Sequence, residues 1–152
     1  EEIYRSPDHS GVDMGAYLEH LVGRLAQIHP PSPDLRFELD AGGVELGLNE
    51  SIPCAIILNE LVTNAMKHAF PEGGAGTIRV SLRHPAEGRV ELAVSDDGVG
   101  LPEGVAPGKS HERGRLGLTL VGLLVGQLDG ELAASRESGT AYRIEFPLRP
   151  YT

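Results

Sequence analysis

Apolar residues recur along this chain with two different periods. Between Asp13 and His29, Leu18, Leu21, Val22 and Leu25 stand three and four apart, the spacing that lines one face of a helix. Asp13 occupies the place of an N-cap, and Pro30, Pro31 and Pro33 forbid the helix to continue. Leu35, Phe37 and Leu39 then alternate with polar residues as a strand does. Val44, Leu46 and Leu48 alternate again, with Ala41-Gly42-Gly43 between the two sets as a turn. A longer helix is predicted from a cap at Asn49 or Ser51 to about Phe70, with Pro53 in its first turn and Pro71-Glu72-Gly73-Gly74 after its end. Ile78, Val80 and Leu82 pair with Val90, Leu92 and Val94 as two alternating sets around a hairpin loop at Pro85-Ala86-Glu87-Gly88. Residues 98–114 are rich in Gly and Pro and read as a functional loop or lid. A third helix is predicted from about Leu116 to Leu128, then strands over 131–135 and 140–148 around a turn at Ser138-Gly139.

The order is helix, two strands, helix, two strands, lid, helix, two strands. Adjacent strands recur as candidate hairpins, which favours a mixed, mostly antiparallel sheet. Helices on one face of it make a two-layer α/β sandwich. Residues 1–12 read as a linker and residues 13–152 as one domain.

Composition narrows the function. The 152 residues suit a single domain, and the net charge of −9 argues against a nucleic-acid module, which needs a basic footprint. No apolar run approaches the roughly 18 residues that span a bilayer. No charged-then-apolar leader of the secretory kind opens the sequence, and a start at Glu1 without a Met reads as a fragment or a processed chain. The single cysteine, Cys54, lies in an apolar run and reads as a buried thiol in a reducing, cytoplasmic setting.

Three segments carry candidate chemistry. At roughly 100° per residue, Glu60, Asn64, Lys67 and His68 share one arc of roughly 100° on the second helix. That stripe offers a carboxylate, an amide, an ammonium and an imidazole. A solvated helix face explains it too, although Asn is a poor mid-helix choice there. The amide oxygen of Asn64 is a hard ligand suited to Mg²⁺. Next, Ser95-Asp96-Asp97-Gly98-Val99-Gly100 ends a strand and opens a loop. Asp96 has the chemistry to accept a hydrogen bond from an adenine amino group, and Gly98 and Gly100 let backbone approach a flat ring. A plain strand-end turn uses the same residues. Last, Arg113-Gly114-Arg115-Leu116-Gly117-Leu118 opens a helix, where free N–H groups attract anions.

In this order the segments resemble the ATP-binding domain of histidine kinases, from the superfamily that includes gyrase, the heat-shock chaperone ATPase and the mismatch-repair ATPases. The N box resembles 60–68, the D-x-G-x-G box 96–100, the Gly-Leu box 114–118 and the G-T box Gly139-Thr140. The run Leu58-Asn59-Glu60-Leu61-Val62-Thr63-Asn64-Ala65-Met66-Lys67-His68-Ala69-Phe70-Pro71 is similar to the HWE-related, second HisKA class. The resemblance implies a Bergerat-type fold with ATP and Mg²⁺ as ligands. Asp96 would take the adenine amino group, with Gly98 and Gly100 beside the base and Thr140 in support. Asn64 would hold Mg²⁺, Lys67 and His68 would line the phosphate side, and Glu60 would act as general base or metal helper. Leu116, Gly117 and Leu118 would bring the helix start close to the phosphates. The implied partners are the histidine-bearing dimerization region of a parent kinase, itself a homodimer, and a response regulator. An anti-sigma-factor type of serine kinase, or a nucleotide-binding regulatory module without transfer, would share the same boxes.

Two departures stand out. Arg113 and Arg115 occupy the places of the first two glycines of the commonest Gly-Leu box. None of the six histidines has a convincing phosphoacceptor context; His20 is the nearest, with flanks that do not match. Charge at 113 and 115 would replace the lost amide contacts to phosphate. Replacing both with Ala then weakens ATP binding, whereas unchanged affinity in a nucleotide titration would make them solvated lid arginines.

Overall fold

The computed structural model describes residues 11–31, 33–69, 75–98, 116–136 and 139–148, without the side chains of 68, 69 and 116. Its elements are β1 (Val12–Asp13), α1 (Met14–Ile28), β2 (Leu35–Asp40), β3 (Glu45–Leu46), α2 (Leu48–Asn64), a π-helical turn (Ala65–Ala69), β4 (Gly76–Arg83), β5 (Arg89–Asp96), α3 (Leu116–Gln127), β6 (Glu131–Ser135) and β7 (Thr140–Pro147). Five strands form one sheet in the order β2-β4-β5-β7-β6. Only β2 and β4 run parallel within it. The sheet is therefore mixed and mostly antiparallel, as the alternation predicts.

Alternation decides which way the sheet faces. Ile78, Val80 and Leu82 of β4, Val90, Leu92 and Val94 of β5, and Tyr142, Ile144 and Phe146 of β7 are all buried. They point to one side, because side chains two apart share a face. All three helices cover that side: α1 packs on β2, α2 on β5 and α3 on β6, with α2 between the other two. The opposite face carries ion pairs instead. Arg79 pairs with Glu38, Arg89 with Glu145, and the buried Glu91 sits between Arg83 and Arg143.

α1 follows the pattern closely. Asp13 Oδ1 accepts from the Ala16 amide at 3.2 Å, and Leu18, Leu21, Val22 and Leu25 are buried. The hairpin around Pro85-Gly88 and the strand pairs β4–β5 and β6–β7 also match.

The first candidate hairpin does not form. β3 pairs with β1, not with β2, and β2 joins β4 in parallel across α2. At a sheet edge Val44 and Leu46 would stay half wet. In the small β1–β3 ribbon they are 2% and 0% exposed, and the Val44 carbonyl accepts from the Met14 amide. The start of α2 also differs. Its N-cap is Gly47, without a side-chain cap, so neither Asn49 nor Ser51 caps it, and Pro53 lies inside the helix beyond the first turn. Leu48 opens the helix instead of ending a strand. Phe70 and the stop that follows it fall outside the described residues, as do Ser138 and all of the lid over 98–114 except Gly98.

Phe146 is fully buried beneath the helices, so Phe146→Ala should lower the unfolding free energy by roughly 3–5 kcal/mol in urea denaturation. Asp13→Ala, which removes a cap near the surface, should cost only about 1 kcal/mol in the same assay.

Candidate functional site

Burial of the β5 and β7 apolar sets fixes the next residues in phase. Asp96 follows Val90, Leu92 and Val94 by two, so it faces the helices at the end of β5. Thr140 precedes Tyr142 by two and lies opposite Asp96 in the register. Asp96 Oδ1 accepts from the Gly98 amide at 2.9 Å and from the Thr140 amide at 3.4 Å. Among the described residues its Oδ2 receives no hydrogen bond. A half-buried carboxylate with one oxygen held by backbone and the other open has the right form to accept from an exocyclic amine.

Around Asp96, Asp97 and Tyr142 are not legible from the sequence as site residues, and Gly139 is legible only as part of the G-T box. Asp97 Oδ1 accepts from the Thr77 amide at 2.8 Å, and the Asp97 amide donates to the Thr77 carbonyl at 3.3 Å. That pair locks the end of β5 to the start of β4. Gly139 has φ +110°, and a Cβ there would overlap the Asp96 carbonyl oxygen. Only glycine lets the chain pass this close and deliver the Thr140 amide to Asp96. Tyr142 is buried on the same side, diagonal to Asp96. Burial first, and then the Asp96 charge, push its phenol up to about 12.

The helix stripe comes to the same end of the sheet. Six residues separate Ala69 from Gly76, which starts β4 beside Asp97, and the π turn packs on β5. Asn64 is the last residue of α2 and half buried; Thr63 before it holds its hydroxyl buried without a hydrogen-bond partner among the described residues. The π turn breaks the 100° stepping at Ala65, so Lys67 does not sit where a regular helix would carry it. Lys67 is exposed. The side chain of His68 is outside the described residues.

One turn before Asn64, Glu60 meets the start of α3. A Cβ on Gly117 would overlap Glu60 Oε2. Leu118 is 5% exposed and packs in the core. Leu116 begins α3, while Gly100, Arg113 and Arg115 lie outside the described residues. Cys54 is fully buried, its thiol pushed up to about 12 by burial and then by Glu50, which fits the inert thiol read from the sequence.

Burial lifts the Asp96 carboxyl above the usual aspartate range; the Gly98 and Thr140 amides oppose this and the Asp97 charge adds to it. The folded state thus binds this proton more tightly than the unfolded chain does. The penalty for holding the charge is full above the folded pKa and fades as pH falls toward the ordinary range. Asp96→Asn should therefore be at least as stable as wild type at neutral pH, and its advantage should shrink on acidification. Urea denaturation at several pH values reads this directly; a variant weaker at neutral pH would mean that the two amide bonds outweigh burial.

Comparison with known proteins accords with this geometry. Residues 49–150 match the family described as histidine kinase-, DNA gyrase B- and HSP90-like ATPases. Blue-light-activated histidine kinase 2 of Erythrobacter litoralis is 27% identical over 138 residues, covering 90% of this chain and 39% of that protein. Sensor histidine kinase PdtaS of Mycobacterium tuberculosis is 37% identical over 146 residues, covering 90% of this chain and 28% of that protein. The chain thus spans well under half the length of these two relatives. The solved histidine kinase domain of an Erythrobacter litoralis blue-light-activated kinase superposes with TM-score 0.81 at 26% identity, over 90% of this chain and 62% of that one. With four boxes in order on a matching fold, this chain belongs to the histidine kinase-, DNA gyrase B- and HSP90-like ATPase family, as an ATP-binding domain of the histidine-kinase type.

Proposed function

We propose that residues 13–152 bind Mg-ATP between α2, α3 and the Asp96 end of the sheet, and pass its γ-phosphoryl group to a histidine elsewhere in a longer protein. The observation that carries this is Asp96: a helix-facing carboxylate braced by the Gly98 and Thr140 amides, whose second oxygen receives no hydrogen bond among the described residues. That oxygen accepts from the adenine amino group. Gly98 and Gly100 would lie along the ring, and Thr140 keeps the carboxylate oriented. Lys67, His68 and the free backbone amides at the start of α3 would line the phosphate side, with Arg113 and Arg115 adding charge there, while the Leu118 side chain belongs to the core.

The donor set suits Mg²⁺ bound mainly through phosphate. Among the described residues no three His, Cys, Asp or Glu side chains group as a metal cage. Asn64 offers one hard oxygen, which matches the habit of Mg²⁺ to keep few protein ligands beside phosphate and water. When bound, the ion offsets charge on the β- and γ-phosphates. Glu60 then accepts the proton of the attacking imidazole as its nitrogen bonds to the γ-phosphorus and the bond to the bridging oxygen of ADP breaks.

Residues 1–12 serve as the linker to a dimerization region that supplies the histidine, in a homodimer that hands phosphate to a response regulator. Subclass features of the HWE-related, second HisKA type, in 58–71, support that arrangement. ATP use implies a cytoplasmic site of action. Among the described residues no helix is long and apolar enough to cross a membrane.

Calorimetric titration of Mg-ATP tests the reading. Wild type should saturate. Asp96→Asn should weaken binding by roughly ten- to a hundredfold, the worth of one charge-assisted hydrogen bond. Asn64→Ala should abolish the gain in affinity that Mg²⁺ gives wild type. A wild type without saturable binding rules the reading out.

A further inference from the structure

Gly117 is the second residue of α3, and its Cα hydrogens face α2. A Cβ built there would overlap Glu60 Oε2 and lie 3.1 Å from Glu60 Cδ and 3.8 Å from Glu60 Cγ. All three nearest atoms belong to this one side chain. Among the described residues, the glycine therefore opens space for a single carboxylate, not for a helix backbone or a packed apolar neighbour. That carboxylate is the far end of a flexible side chain, so a methyl group at 117 would push it aside without breaking the α2–α3 packing. Alanine is also the better helix former, which offsets what little strain remains.

We infer that Gly117 is a positioning residue for Glu60: its missing side chain leaves the place in which the carboxylate rests, one turn from Asn64. The inference rests on the kinase reading above, in which Glu60 is the proton acceptor. It gives this glycine a different task from close backbone approach to phosphate, and the two tasks fail differently. Backbone approach lost means nucleotide affinity lost. Clearance lost means a displaced base, with nucleotide still bound and turnover reduced. A shorter carboxylate at position 60 draws its oxygens back by one bond, to about the place of Glu60 Cδ at 3.1 Å, and so leaves the overlap.

The test compares wild type, Gly117→Ala, Glu60→Asp and the double variant for Mg-ATP affinity and, with a histidine-bearing dimerization domain of a histidine kinase supplied as phosphoacceptor, for ADP release at saturating Mg-ATP. Melting temperatures check that all four fold. Gly117→Ala should keep its Kd within about threefold of wild type and lose about tenfold in turnover; added to Glu60→Asp it should cost less than about twofold. An affinity loss of similar size on both backgrounds, or turnover left at the wild-type rate, overturns the inference while leaving the ATP-binding reading intact. A wild type that binds Mg-ATP but passes no phosphoryl group to the supplied domain overturns it too. Failure of wild type to bind at all sinks the kinase reading itself.

Discussion

The register between β5 and β7 is the constraint on which the site depends. Val94 lies opposite Tyr142 and Leu92 opposite Ile144, and burial of these pairs beneath α2 and α3 leaves no freedom to slip. A shift by one residue would turn the whole apolar set to water. The same register sets Thr140 opposite Asp96, so the energy that holds the core together also aims the site. Two further bonds finish the work: Asp97 ties the strand end to Thr77, and Gly139 admits the backbone that carries the Thr140 amide. Core and site are thus one pattern read at two points along the same strands.

An acidic domain that binds a polyanion needs its charge arranged with care. The net charge is −9, yet the arginines of the described strands lie on the open face of the sheet, where Glu38, Glu91 and Glu145 engage Arg79, Arg83, Arg89 and Arg143. They are away from Asp96. The Arg79–Glu38 pair, exposed on both sides, contributes little to stability. At the helix-facing side the proposed ligand instead meets one buried-edge carboxylate suited to a neutral base, with Lys67 and a helix start for the phosphates. In the proposed complex, base and phosphate would each be received by different chemistry, the base at Asp96 and the phosphates at Lys67 and the helix start.

Periodicity made much of this legible. The stripe of α1 with its Asp13 cap, the β4–β5 hairpin and the β6–β7 pair follow from spacing of three and four, or of two, and from local turn residues. What spacing cannot give is the partner of an isolated strand. Val44 and Leu46 alternate like any edge strand, but their pairing with residues 12–13 is decided by where they bury best. Likewise nothing in Ala65–Ala69 announces a π turn, which re-aims Lys67 relative to Glu60 and Asn64. For the site, Asp96, Asn64 and Gly117 emerged from the family's boxes. Asp97 as a brace, the approach of Gly139 to Asp96 and the contact of Gly117 with Glu60 are meetings between distant parts of the chain, and only coordinates bring them together.

The central claim is that Asn64 and Asp96 open onto one nucleotide-sized cleft on the helix side of the sheet. Amide chemical shifts followed during titration with a non-hydrolysable Mg-ATP analogue address it residue by residue. The account predicts saturating shifts at Asn64, Gly98 and Thr140, with Ser81 and Ala93 on the open sheet face unmoved. Shifts gathered on that open face, or at Asn64 without Gly98 and Thr140, would contradict it.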